Sequence, residues 1–178
     1  MGSAVPPEPR RGVTCLPHAF NAPALLATRP PFYLRLVDPR RARSRLEVVV
    51  VDHDSIVRRA IVGALAEGDI TTVGDTALGR EGVQLVARLA PAVVIVDPEL
   101  PDIAGLDFIS AVRQTAPNTA ILLLTTVDDD DFAIRALREG ASGFLSKRFS
   151  LDALARIVRS VGAGEAVVTR ALTMRLIE

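Results

Sequence analysis

The sequence is poor in several residue types, and each shortage narrows what the protein can be. Its single cysteine, Cys15, excludes an internal disulfide framework and fits the reducing cytoplasm, where we expect the protein to act. No apolar run approaches the ~20 residues of a membrane-spanning helix, so we predict neither a membrane span nor a membrane partner. Aromatic residues make up only 4% of the chain, whereas hydrophobic residues reach 49%. The core must therefore be built mainly from aliphatic side chains.

The formal net charge is zero, although basic and acidic residues are unevenly distributed along the chain. Residues 1–45 hold eight arginines against two acidic residues, which leaves 13 basic and 19 acidic side chains for residues 46–178. A negatively charged globular part is a poor candidate for binding nucleic acid by itself. The extension 1–45 is rich in Pro and Arg without clear periodicity, and we predict that it is disordered. The alternative is a basic arm that contacts a polyanion.

From Leu46 onward, apolar runs alternate with segments of helical spacing. The runs typical of buried strands are Glu47–Val51, Ile70–Val73, Ala92–Val96, Ala120–Leu124 and Gly143–Leu145. Strands that alternate with helices predict an α/β fold, in which a parallel sheet is covered on both faces. In such a sheet, ligands bind at the carboxyl ends of the strands, near the point where the strand order reverses.

Four polar side chains end or directly follow predicted strands, so the fold should bring them to one rim. They are Asp52, Asp97, Thr125 and Lys147. Asp97 precedes the loop PELPDIAG, where a carboxylate is well placed to act as a nucleophile. The Thr125 hydroxyl can donate to a phosphoryl oxygen, and Lys147, the only lysine, offers a compact charge for a phosphate or carboxylate. Taken singly, Asp97 also fits a turn or helix cap, and Thr125 an ordinary strand end.

Together these motifs resemble the receiver domain of two-component response regulators. The matching text is VVVVDHDSIVR, VVIVDPELPDIAGLDFI, ILLLTTVDDDDFAIRALREGASGFLSK and AGEAVVTRALTMRLIE, and its second half is similar to the NarL/FixJ (LuxR-type) subfamily. The resemblance implies a flavodoxin-like, doubly wound five-stranded parallel sheet, (βα)5, with strand order 2-1-3-4-5. It also implies a receiver domain over 46–163 and, over 164–178, the start of a linker helix toward a helix-turn-helix domain that these residues do not include.

The resemblance assigns roles on the phosphoryl side of the rim. Asp97 would accept a phosphoryl group from a sensor histidine kinase, and Thr125 and Lys147 would contact that group. Phe144 matches an aromatic switch position that moves together with Thr125. The implied function is phosphorelay signalling that controls transcription, not an enzyme activity. Its implied partners are the kinase, a second copy of the chain in a homodimer, and DNA bound through the helix-turn-helix domain.

The metal side of the site departs from the family pattern. The resemblance implies that Mg²⁺ is held by Asp52, Asp97 and the backbone carbonyl of Glu99, but the family usually has two adjacent acids where this chain has Asp52 and His53. Neutral imidazole is a poor ligand for Mg²⁺. Asp54 is predicted to cap the first helix, although it is also a candidate for the missing ligand. The hypothesis is that Mg²⁺ binding and phosphorylation are weakened.

Two other functions stay open on the sequence alone. One is a pseudo-receiver, marked by His53, that acts by dimerisation or ligand binding without ordinary phosphorylation. The other is a phosphohydrolase of the haloacid dehalogenase type, with Asp52 as nucleophile and Asp54 as acid/base. The phosphohydrolase interpretation lacks the acidic pair that this family needs after its lysine, and it leaves DPELPDIAG unexplained.

Overall fold

The computed structural model describes residues 45–126 and 129–168, so the extension up to residue 44 and the predicted linker helix Thr169–Ile177 lie outside the described residues. Within them, five strands alternate with five helices, and a short 3-10 turn precedes the last helix. The elements are β1 Glu47–Val51, α1 Ser55–Glu67, β2 Thr71–Thr76, α2 Gly79–Leu89, β3 Val93–Val96, α3 Gly105–Thr115, β4 Ala120–Thr125, α4 Asp130–Glu139, β5 Gly143–Ser146, the turn Leu151–Ala153 and α5 Leu154–Gly162.

The strands form one parallel sheet in the order β2-β1-β3-β4-β5, which confirms the predicted topology. Val96 of β3 lies beside Val51 of β1 on one side and beside Leu123 of β4 on the other, so the ends of the central strands are nearly level. The strand order reverses between β1 and β3, and in sheets of this kind ligands bind at the carboxyl ends of the strands on either side of such a reversal. The residues that follow β1 and β3 therefore meet at this point.

The core lies on both faces of the sheet because successive residues of each strand point to opposite sides. One face, which includes Val49 and Val51, packs against α2, α3 and α4, and the other, which includes Val48 and Val50, packs against α1 and α5. In the described part of the chain, the buried hydrophobic side chains are aliphatic except for Phe108 and Phe144, as the composition predicts. Full burial of one Val, Leu or Ile side chain contributes about 1.5–3 kcal/mol, so this double core makes the sheet a firm platform for its rim.

Strand β2 is the one strand whose predicted bounds were wrong by several residues. The hydrophobic pattern predicts Ile70–Val73, whereas the strand is Thr71–Thr76. β2 lies at the edge of the sheet, and only its last residue, Thr76, is buried. A strand with one partner and partial exposure does not need a continuous apolar run, so the pattern ended too early. The bounds of the other four strands agree with the prediction to within one residue.

The opposite edge of the sheet, β5, is covered by the segment that follows α5. Val167 forms an isolated parallel bridge with Gly143. The Phe144 N–H donates to the Val167 carbonyl at 2.9 Å, and the Val167 N–H donates to the Ser142 carbonyl at 3.2 Å. These bonds satisfy backbone groups that an uncovered edge strand would leave unpaired.

Candidate functional site

The first buried carboxylate of the rim belongs to Asp52, directly after β1. The residue is 1% exposed, and its N–H donates to the Thr76 carbonyl at 3.1 Å. Its Oδ1 accepts a hydrogen bond of 2.8 Å from the Asp54 N–H. Arg58 of α1 donates to the Asp52 carbonyl at 2.6 Å and pairs with Asp75 at 2.9 Å. The sequence gives only one signal for this role of Arg58, its place as the fourth residue of α1, close to the end of β1.

The second buried carboxylate belongs to Asp97, directly after β3. It is 2% exposed, and its N–H continues the sheet by donating to the Val51 carbonyl at 2.9 Å. Its Oδ1 accepts from the Glu99 N–H at 2.8 Å, in the same way that Asp52 accepts from the residue two positions later. A backbone bridge between Glu99 and Ala104 closes the loop that follows. Both carboxylates are thus held by the backbone in fixed directions.

Lys147 joins the two carboxylates. Its Nζ lies 2.6 Å from Asp97 Oδ2 and 2.7 Å from Asp52 Oδ2, and its side chain is only 10% exposed. Burial acts to lower the pKa of Lys147, but the hydrogen bonds to Asp52 and Asp97 and their negative charges outweigh it and raise the pKa above its ordinary 10.5. The side chain is therefore a cation at neutral pH. Two carboxylates and one ammonium leave this buried group with a net negative charge.

His53 lies at the open side of this cluster. Its side chain is half exposed, and its Nδ1 is 3.6 Å from Asp97 Oδ2. One potential ligand atom from each of Asp52, His53 and Asp97 lies within 4.8 Å of the others. Mg²⁺ is often held by one or two carboxylates, with water or phosphate oxygens at the remaining positions. The two carboxylates therefore fit such an ion, whereas the imidazole does not add the hard oxygen ligand that Mg²⁺ prefers.

Asp54 points away from the cluster and caps α1, which confirms its predicted capping role. Its Oδ1 accepts from the Ile56 N–H at 2.8 Å and from the Val57 N–H at 3.3 Å. The bond from Ile56 has the larger effect and the bond from Val57 the smaller one, and together they hold the pKa of the Asp54 carboxyl below its usual range. The carboxylate is thus already used by the first turn of the helix, and no ligand atom of Asp54 belongs to the metal-ligand cluster found in the described part of the chain.

The two predicted switch residues lie beside the site on β4 and β5. Thr125 is 2% exposed at the end of β4, and its carbonyl accepts from the Lys147 N–H at 2.6 Å. Phe144 is 6% exposed, and its ring lies 6.4 Å from that of Phe132 in α4, at an angle of 56°. The structure therefore connects Thr125 to the lysine through the backbone and places Phe144 inside the core between β5 and α4.

Asp102 has a role at the site's edge that its position in the sequence does not predict. Its carboxylate lies at the start of α2, where Oδ1 accepts from the Gly79 N–H at 2.7 Å and Oδ2 from the Arg80 N–H at 2.9 Å. The residue that precedes the helix, Leu78, cannot cap it, so the loop after β3 supplies the cap. Because donor and acceptor are more than 20 residues apart in the chain, no local pattern signals this contact.

Among the described residues, no helix is long and apolar enough to cross a lipid bilayer. Comparison with protein families gives a match over residues 48–159 to the response regulator receiver domain. This match covers more than half of the chain and includes the whole rim described above.

Individual relatives lead to the same family. The chain is 30% identical over 133 residues to the response regulator GacA of Pseudomonas protegens, an alignment that covers 74% of this chain and 62% of the relative. It is 29% identical over 136 residues to the transcriptional regulatory protein DegU of Brevibacillus brevis, covering 76% of this chain and 58% of that protein. The chain thus spans about three fifths of the length of these curated relatives.

Solved structures agree on the fold. The signal receiver domain of the putative response regulator NarL from Mycobacterium tuberculosis has a TM-score of 0.66 and 28% identity, covering 68% of this chain and 99% of that one. A LuxR-family DNA-binding response regulator from Staphylococcus aureus has a TM-score of 0.62 and 22% identity, covering 66% of this chain and 98% of that one. The second likeness is one of fold alone.

Proposed function

The chain belongs to the family of response regulator receiver domains, and on that premise we propose that Asp97 accepts a phosphoryl group from a sensor histidine kinase. The observation that carries this proposal is the contact of 2.6 Å between Lys147 Nζ and Asp97 Oδ2 at the buried end of β3. An ammonium at this distance positions the carboxylate and stays beside the phosphoryl group that the carboxylate receives. The family is one of signalling domains, and it gives the phosphohydrolase alternative no support.

In the proposed reaction, a carboxylate oxygen of Asp97 forms a bond to phosphorus while the phosphorus–nitrogen bond of the kinase phosphohistidine breaks. The product is an acyl phosphate on Asp97 and a free imidazole on the kinase. The anionic carboxylate must approach an anionic phosphoryl group, and Lys147 offsets part of this repulsion. The Thr125 hydroxyl, at the end of the neighbouring strand, is proposed to donate to a phosphoryl oxygen.

A divalent cation would offset the remaining charge when it is bound. The residues that would hold it are the buried Asp52 and Asp97 and the backbone carbonyl of Glu99, whose N–H is bonded to Asp97. Because His53 stands where a second acid would supply another oxygen, we expect Mg²⁺ to bind less tightly than it would to a site with that acid. Weaker phosphorylation in Mg²⁺ follows from this difference.

The phosphorylated state is proposed to reach the rest of the protein through β5. An acyl phosphate adds negative charge and strong hydrogen-bond acceptors, to which Thr125 and Lys147 can respond. Phe144 lies on β5, three residues before Lys147, which directly follows the strand, and the Phe144 N–H is bonded to Val167. A shift of β4 and β5 therefore acts directly on the segment after α5. We propose that residues 46–163 are the receiver domain and that 164–178 lead toward a DNA-binding domain.

The proposed output is control of transcription by a dimer. Its basis is the LuxR-type relatives, and a helix-turn-helix domain, not residues 46–178, is proposed to read the DNA. Residues 46–178 themselves carry more acidic than basic side chains, so they are not proposed to contact nucleic acid.

The experiment that tests the proposal measures the intact mass of the full chain after incubation with acetyl phosphate and Mg²⁺. We expect partial addition of one phosphoryl group, none in Asp97→Asn, and a reduced level in the matched variant Asp52→Asn. The variant His53→Asp is expected to be modified faster than the native chain, because it restores an oxygen ligand. Addition at a residue other than Asp97 would refute the assignment.

A second candidate function is favoured by one observation, the imidazole of His53 at the place of an acid, 3.6 Å from Asp97. It is a pseudo-receiver in which the domain dimerises or binds a ligand without ordinary phosphorylation. This function predicts no mass increase with any phosphodonor or cation, and also none in His53→Asp.

A further inference from the structure

The imidazole of His53 gives this site an unusual set of donor atoms. Two carboxylates, Asp52 and Asp97, are almost completely buried, and the imidazole lies at their open side, with a ligand atom of each within 4.8 Å of the others. Carboxylate and water oxygens suit Mg²⁺, whereas imidazole suits borderline ions such as Zn²⁺, Co²⁺ and Ni²⁺. The third donor therefore changes which ion the site prefers.

The distance between the imidazole and one carboxylate is close to what such an ion needs. Zinc binds imidazole nitrogen at about 2.0–2.1 Å and carboxylate oxygen at about 2.0–2.2 Å, so two neighbouring ligand atoms on one ion lie roughly 3–3.5 Å apart. His53 Nδ1 and Asp97 Oδ2 are 3.6 Å apart. Because the His53 side chain is half exposed, a small rotation of the ring brings its nitrogen to the required distance without moving the core.

Lys147 competes with any incoming cation for the same oxygens, so an ion needs additional interactions to bind well. Its ammonium already lies 2.7 Å from Asp52 Oδ2 and 2.6 Å from Asp97 Oδ2. An incoming cation must share these oxygens with the ammonium or displace it. An ion that gains a bond to the imidazole has an additional interaction to offset this competition, and Mg²⁺ gains little from the same nitrogen.

We propose that Asp52, His53 and Asp97 bind a borderline divalent ion of the Zn²⁺ or Co²⁺ class in preference to Mg²⁺, with the His53 imidazole as a direct ligand. The inference uses the site of the proposed function, but it depends only on the donor atoms and not on phosphoryl transfer. Any metal-dependent step of this protein would then respond to the supply of such ions rather than to Mg²⁺ alone.

The experiment uses the full chain, without an affinity tag, in a background that carries Cys15→Ala and His18→Ala. Cys15 and His18 are a thiol and an imidazole three positions apart, and their replacement removes the thiol and imidazole of the extension as zinc ligands. It also leaves His53 as the only imidazole in the chain, so that ¹⁵N-labelled histidine gives the signals of one ring. Zn²⁺ alone or Mg²⁺ alone is then titrated, by NMR and by calorimetry, with no phosphodonor present.

We expect Zn²⁺ to shift the ring nitrogen signals of His53, Mg²⁺ to leave them unchanged, and Zn²⁺ to bind at least about tenfold more tightly than Mg²⁺. Even the loss of a group that only supports a metal ligand typically costs 10–100-fold in affinity. His53 is proposed as a direct ligand, so His53→Ala should lose at least about tenfold in Zn²⁺ affinity. His53→Asp should narrow the difference in affinity between the two ions. Since the side chain is half exposed, we expect both variants to fold, and circular dichroism checks this.

The proposal is overturned if Zn²⁺ binds no more tightly than Mg²⁺, if His53→Ala binds Zn²⁺ as well as the parent, or if the ring signals do not move. The outcome is separate from that of phosphorylation. Zinc bound through His53 in a chain that never gains mass on Asp97 would support this inference and refute the proposed function. Phosphorylation without imidazole binding would do the opposite.

Discussion

The strongest test of the electrostatic description of the site is the replacement Lys147→Met, which keeps the length of the side chain and removes its charge. Asp52 and Asp97 would then be two buried carboxylates without a counter-ion. At a separation of about 5 Å and an effective dielectric constant of about 20, two unit charges repel each other by about 3 kcal/mol. Removal of one partner from a buried ion pair typically costs 3–5 kcal/mol. We therefore expect the free energy of unfolding to fall by about 3–5 kcal/mol.

Urea unfolding in EDTA measures this loss without a divalent ion in place of the ammonium. Arg148→Met is the matched control, since it removes the same charge from the next residue, which is exposed, and should cost less than about 1 kcal/mol. In an Asp97→Asn background one of the two repelling charges is gone, so Lys147→Met should cost at least about 1 kcal/mol less there. A cost equal to that of Arg148→Met, or the same cost in both backgrounds, would refute the reasoning.

Two further predictions concern the frame around the site. A Cβ at Gly82 would lie 2.7 Å from a methyl group of Val51, so Gly82→Ala should lower the free energy of unfolding by about 1–3 kcal/mol in a urea titration. Gly63 lies on the exposed face of α1, where an added Cβ would have no atom within 4 Å, so the control Gly63→Ala should raise the free energy of unfolding by about 0.4–1 kcal/mol. If both substitutions had the same effect, the close packing of α2 against β1 would be contradicted. The bond from the Arg80 N–H holds the pKa of Asp102 below the ordinary 3.8. The stabilising effect of the Asp102 cap is therefore present above pH 3.8 and is lost as the pH falls through the lowered pKa. The melting temperatures of the native chain and Asp102→Ala should thus differ at pH 6 and converge below pH 3.8, and a difference independent of pH would argue against the cap.

The sequence was most informative where one physical requirement dominates. A strand buried on both faces must be continuously apolar, so the bounds of β1 could be read directly from Glu47–Val51. The carboxyl ends of parallel strands share one edge, so Asp52, Asp97 and Lys147 could be expected to meet, and the structure brings them together. The capping role of Asp54 followed from its position before a helical stripe.

The remaining features depend on contacts that no local pattern contains. The cap of α2 comes from Asp102, in a loop that follows the next strand, and β2 runs past its apolar residues because its partner lies on one side only. The position of Lys147 is a similar case. From the sequence, a lysine at a strand end can pair with either carboxylate. The three-dimensional structure sets the register of β5 with β4 and thereby brings the ammonium within reach of both.

The order of the strands also bears on which aspartate is the nucleophile. Asp52 and Asp97 are bound alike, since each accepts a backbone N–H through Oδ1 and the same ammonium through Oδ2. They differ in their neighbours, because β1 lies between β2 and β3, whereas β3 lies between β1 and β4. Asp97 therefore has a possible metal ligand on one side and Thr125, at the end of β4, on the other. A carboxylate that attacks phosphorus needs a cation on one flank and donors for the phosphoryl oxygens on the other. The hydroxyl that flanks Asp52 on its other side, that of Thr76 at the end of β2, already donates to Glu81. The position after β3 therefore meets both needs better, which supports Asp97 as the acceptor and Asp52 as its neighbour on the metal side.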